Sequence, residues 1–235
     1  MILATQRRGF LGRMFGAAAV ASFPLAVTRA TAAPDPSPDD WIRGVGGTHR
    51  CLFDFPQHRN GFPLLHILNY LSTYSAVYKV AAGQVGAVGT FYGLGGQASI
   101  PLAFNDAMWK KYGLGEYMAL KDGAGKPYTR NVFARPTKDD LHLLMQAIQA
   151  PAIPALAETM PGIGIENLQR MGAKFLLCAN AMGGWCLELE ARGKGKAPDI
   201  EKELRANLLP GITIVPAMVI AIEKAQEAGI RYNRQ

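Results

Sequence analysis

Three cysteines, four histidines and a few polar residues at glycine- or proline-rich junctions are the groups in this 235-residue chain most able to do chemistry. Cys178 has the most telling position. It closes the apolar run Lys174 to Leu177 and precedes a helical stretch, Asn180 to Ala191, within AKFLLCANAMGGWCLELEARG. A thiol at a strand end, just before a helix N-terminus, sits at the positive end of the helix dipole, which favours thiolate over thiol. Cys186 is a poor disulfide partner. Eight residues along a helix separate the two by about 12 Å, beyond the roughly 7 Å limit for bridging Cα atoms. Cys51 falls near the start of its own strand, toward the opposite end from Cys178. The competing reading is that all three cysteines are small buried hydrophobes. No CxxC, HxxxH or HExxH spacing occurs, which argues against a zinc site. The run Gly93-Leu94-Gly95-Gly96 could cradle an anion on its backbone N–H groups. It matches neither the dinucleotide fingerprint nor a P-loop, so no cofactor is implied.

The elements that must position these residues alternate. His49 to Phe55 reads as a strand ended by Pro56, and Asn60-Gly61 marks a turn. Pro63 to Lys79 has helical apolar spacing with a proline in its first turn. Gln84 to Tyr92 reads as a buried strand, and Ile100 to Lys111 as a helix. Residues 112–138, with four glycines and two prolines, read as a surface excursion. Trp109, Tyr112 and Tyr117, in and beside it, read as packing residues. Asp139 to Gln149 and Ile165 to Met171 are helical, followed by the strand and helix around Cys178. Then come a helix over Ala197 to Ala206, a strand over Ile212 to Val215, a helix over Pro216 to Ala228 and a last short strand from Ile230. Strands alternating with helices predict an α/β fold with a mainly parallel sheet covered on both faces. Ligands of such sheets bind beyond the carboxyl ends of the strands. Three segments are expected to converge there: Pro56 to Asn60 with His58 and Asn60, Gly93 to Gln97 with Gly95, Gly96 and Gln97, and Cys178 to Asn180. Pro216 marks a fourth strand end. Asp54 shows no recognisable partner.

The first residues set the destination. Arg7-Arg8-Gly9-Phe10-Leu11 is a twin-arginine pattern with its apolar pair. Met14 to Val27 is apolar but broken by Pro24, too short for a spanning helix. Ala30-Thr31-Ala32 supplies the small residues of a signal-peptidase site. A cleaved leader over residues 1–32, a flexible Pro/Asp-rich linker over 33–46 and one domain over 47–235 are therefore expected. Export is expected through the Tat translocase to the periplasm, with no membrane span remaining after cleavage. The leader carries four arginines and no acid, so the formal charge of +7 falls to +3 in the mature chain. No stripe of Lys/Arg interleaved with aromatics remains, which excludes a nucleic-acid-binding face.

The stretch KFLLCANAMGGWCLELEARG resembles the DsrE/DsrF-like sulfur-relay family: an apolar strand, a cysteine at its end, small residues, and a helix closing in Arg192-Gly193. The stretches LFDFP, LAFNDAMWKKYGLGE and ELRANLLPGITIVPAMVIAIEKAQEAG are similar to exported members of that superfamily, so the resemblance runs from about His49 to Tyr232. It implies a three-layer α/β/α domain with a mainly parallel five-stranded sheet, assembled into homo-oligomers. It also implies that Cys178 carries a persulfide between a sulfur donor and an acceptor that the sequence does not name. The alternative is a non-catalytic binding or assembly module of the same fold.

Overall fold

The computed structural model describes residues 37–235; the expected leader lies outside the described residues. Five strands form one sheet in the order β4-β3-β2-β1-β5, every neighbouring pair parallel. They are β1 (His49–Asp54), β2 (Val85–Phe91), β3 (Ala173–Cys178), β4 (Ile212–Val215) and β5 (Arg231–Arg234). Helices lie on both faces, as the alternating pattern predicts for a three-layer α/β/α fold.

The two faces are unequal. One carries α1 (Phe62–Ala76), α2 (Asp106–Tyr112), α3 (Leu114–Tyr117), α4 (Leu141–Ile148), α5 (Ile165–Arg170), α6 (Ala179–Ala191) and α7 (Ala197–Ala206). Their apolar residues join Phe53, Phe91, Phe175 and Leu177 in the larger core. The other face is covered by α8 (Met218–Glu227) and a short 3-10 turn, Asp40–Gly44. There Met218, Ala221, Ala225 and Trp41 pack on Leu52, Val88, Leu176 and Cys178. Alternation along each strand sends successive side chains to opposite faces, so Leu177 enters the large core and Cys178 the small one. The asymmetry follows from strand order. The chain steps from β1 to β4 along one direction, with its crossovers on one face. It must then return past β1 to place β5, and a right-handed return puts α8 on the other face.

β2 shows how composition permits this packing. All seven of its residues are buried, as a central parallel strand requires. A Cβ at Gly89 would lie 2.6 Å from the Phe175 ring, which itself stacks on Phe91 at 5.2 Å. Glycine is needed there because an aromatic ring occupies the space above the strand.

Three expectations are corrected. The linker read as flexible is structured from Asp40, because Trp41 and Val45 supply apolar surface that the sheet face buries. The helix read over Ile100 to Lys111 is divided. Ile100–Ala103 forms a 3-10 turn, and α2 starts afresh at Asp106, where the Asn105 side chain caps Met108 N–H. The stretch 112–138 is no surface excursion: Leu114, Met118, Leu120, Tyr128, Val132 and Phe133 are buried in the large core. It holds together through side-chain caps in place of a ladder. Asn131 donates to the carbonyls of Leu102 and Phe104 and accepts from the N–H groups of Phe133 and Ala134. Trp109 and Tyr112 are packing residues, as expected. No helix among the described residues is long and apolar enough to cross a membrane.

Candidate functional site

β3 continues into α6 on the crowded face, whereas β4 continues into α8 on the sparse one. The carboxyl ends of β3 and β4 are therefore the switch point of the sheet, where the chain leaves in opposite directions, the place at which parallel sheets of this kind take ligands. Cys178 lies at it, paired in register with Val215. It has extended backbone and caps α6, its Sγ accepting the Ala181 N–H at 3.4 Å. The same sulfur accepts the N–H of Met218, the first residue of α8, at 3.3 Å. The Asn180 N–H donates to Pro216 O at 3.2 Å and ties the two helix starts together. One sulfur thus sits between the positive ends of two helix dipoles and receives a backbone donor from each. Cys178 is 5% exposed, while Asn180 and Pro216 at the rim are exposed.

Its neighbour across β2 is polar. Phe91 pairs with Leu177, so the next residue, Tyr92, stands beside Cys178 on the same face. The Tyr92 hydroxyl donates to Asp54 Oδ1 at 2.8 Å, and Tyr232 donates to Oδ2 at 2.8 Å. Thr90 adds a third hydroxyl at 3.3 Å. Asp54, without a partner in the sequence reading, is 4% exposed and held by hydroxyls from β2 and β5. Burial, and then the bond to Asp54, push the Tyr92 hydroxyl above its ordinary range. It therefore stays a neutral donor. No local signal marked this cluster, since its members are brought together only by strand pairing.

The other expected site residues form a separate group. The His58 N–H donates to Gln97 O at 2.9 Å, its Nδ1 accepts the Asn60 N–H at 3.0 Å, and its Nε2 bonds Gly96 O at 3.2 Å. The loops after β1 and β2 are thereby clipped together. His58 is 1% exposed. Burial lowers its pKa to about 4, against the Gly96 bond that raises it, so the ring is neutral at pH 7. Gly95 N–H binds Glu188 Oε2 at 3.2 Å, which also accepts from Tyr117 at 3.0 Å. His58, Asn60, Gly95, Gly96 and Gln97 thus converge as expected. Cys178 and Asn180 converge instead with Pro216 and α8. The expected single cluster is two, because Cys178 turns to the sparse face.

Cys51 and Cys186 are buried, and all three cysteines are free. Burial pushes the Cys51 thiol up to about 11 and the Cys186 thiol up to about 12. Among the described residues no cluster of His, Cys, Asp or Glu could hold a metal ion. The chain matches no known family, no curated protein and no solved structure. Fold and site define it as an α/β/α protein with a wholly parallel sheet and, at the switch point, a cysteine that caps α6 and accepts an N–H from the first residue of α8.

Proposed function

We propose that this chain is an exported, DsrE-like thiol protein that carries sulfur as a persulfide on Cys178. The observation that carries the reading is the pair of backbone N–H groups, from two helix starts, directed at one sulfur. Both donors meet the sulfur that must attack. The Cys178 sulfur attacks the outer sulfur of a donor persulfide. A new S–S bond forms at Cys178, and the donor leaves as its thiolate. Attack by an acceptor thiolate on the outer sulfur reverses the sequence and returns Cys178 as thiolate. The Arg7-Arg8 leader supports export of the folded protein to the periplasm. The resemblance supports a homo-oligomer, and exposed Val219 and Ile220 on α8 offer apolar surface for one.

The second reading, a binding or assembly module with a structural Cys178, is favoured by burial: Cys178 at 5% is no more open than Cys51 at 6%. Alkylation of the native protein separates the two. Cys51 and Cys186, with raised pKa values, remain thiols at pH 8. Iodoacetamide should therefore modify Cys178 first, and a persulfide donor should add one sulfur atom to that residue, read by peptide mass. Labelling of Cys178 only after denaturant is added ends the carrier reading.

A further inference from the structure

A concavity lies on the opposite side of the sheet from Cys178. Between α1 and the β5 edge runs a groove of ≈ 600 Å³, within the range of small-molecule sites. Phe53 forms part of its floor, α1 contributes Tyr70 and Tyr74, four residues apart on one helical face, and Tyr78 follows just past its C-terminal end. Tyr70 meets Tyr74 edge-on at 5.0 Å, and the Tyr74 ring lies 4.5 Å from His49. Tyr78 continues the row at 5.5 Å from Tyr74 and is 67% exposed, so part of its ring stays open to solvent. Arg59, His66 and Gln235 line the groove, and no Asp or Glu does; Arg234 borders it at the β5 edge, where alternation along the strand turns its side chain with Tyr232 toward the Asp54 face. Among the described residues Arg59 forms no ion pair, and its guanidinium lies 5.9 Å from the centre of the Phe62 ring. α1 itself carries no charged residue. The lining is therefore aromatic, imidazole and amide surface with the Arg59 guanidinium at its rim.

Arg59 is held there by an unfavourable backbone. Arg59, Asn60 and Gly61 have successive positive φ values of 39°, 50° and 85°. Two adjacent non-glycine residues in the left-handed region are uncommon and persist only where surrounding contacts over-determine them. The His58 clip supplies those contacts, and the Gly61 N–H closes the turn on His58 O at 2.7 Å. The clip is thus a positioning device for Arg59.

We propose that the groove binds a small organic anion with a planar ring, its charged group on Arg59 and its ring against Tyr78. A guanidinium without a carboxylate partner pairs with carboxylate or phosphate in two parallel hydrogen bonds, and an exposed tyrosine face accepts a ring.

The test is calorimetric titration of the purified chain with AMP and with 4-hydroxybenzoate, which present phosphate and carboxylate on planar rings. Adenosine and inorganic phosphate serve as arms lacking the charge or the ring. At least one ring-bearing anion should bind with Kd below about 1 mM, and both partial probes should bind more weakly than AMP where AMP is the binder. Affinity should fall about tenfold or more in Arg59→Gly and in Tyr78→Ala. Glycine suits the positive φ and Tyr78 is exposed, so both variants keep the fold. Cys178→Ser should bind like the unaltered chain, since it lies on the other face. Failure of both anions to bind, or binding unchanged in the two groove variants, overturns the proposal whatever the fate of the Cys178 reading.

Discussion

Replacing Cys178 by alanine and by serine tests whether its sulfur works as a hydrogen-bond acceptor or as an apolar plug. Alanine leaves the Ala181 and Met218 N–H groups without their acceptor. Loss of a helix cap costs about 1 kcal/mol, and a second unpaired buried donor costs about 1–3 kcal/mol. Sulfur is a weak acceptor, so the lower end applies, roughly 2 kcal/mol in all. In a domain of this size 1 kcal/mol moves Tm by about 2–4 °C, so Cys178→Ala should melt roughly 4–8 °C lower. Serine presents an oxygen to the same two donors and is among the preferred caps. Cys178→Ser should therefore stay within about 1 kcal/mol of the unaltered protein. Thermal melts followed by circular dichroism, with denaturant midpoints as a check, give both numbers. The reasoning is refuted if alanine is as stable as cysteine while serine is destabilised. That order belongs to a site where polarity, not a missing acceptor, is penalised.

Further outcomes follow from other parts of the molecule. The His58 pKa is lowered from 6.5 to about 4 by burial, so between those values the unfolded chain binds a proton that the folded one refuses. Stability should fall as pH drops through that window, by roughly 3 kcal/mol in total; denaturation at stepped pH should show this slope flattened in His58→Asn. Gly89→Ala sets a Cβ 2.6 Å from the Phe175 ring and should destabilise by about 1–3 kcal/mol, and an unchanged denaturant midpoint would refute the close approach. Replacing Arg7 and Arg8 by lysine should retain the precursor in the cytoplasm; normal export of that variant on fractionation would exclude the twin-arginine route.

The sequence by itself determined what depends on neighbours in the chain. Apolar runs of strand length, helical spacing and turn residues placed all five strands within a residue or two of β1 to β5. The alternation of elements sufficed for an α/β sheet, since parallel strands require long crossovers. The cap by Cys178 was legible for the same reason, because its donor at Ala181 is three residues away. The stretch 112–138 was misread because glycine and proline density resembles that of a surface loop. Its burial depends on Asn131 reaching the carbonyls of Leu102 and Phe104, which no periodicity encodes. Tertiary structure alone decided which face Cys178 meets, and hence that a second donor reaches it from Met218, forty residues on. It also gave Asp54 its hydroxyl partners at Tyr92 and Tyr232, and it divided the expected cluster into the His58 clip and the Cys178 junction of α6 and α8. These contacts join residues distant in sequence. They exist only after the crossovers and the return through α8 fix which strand ends lie side by side.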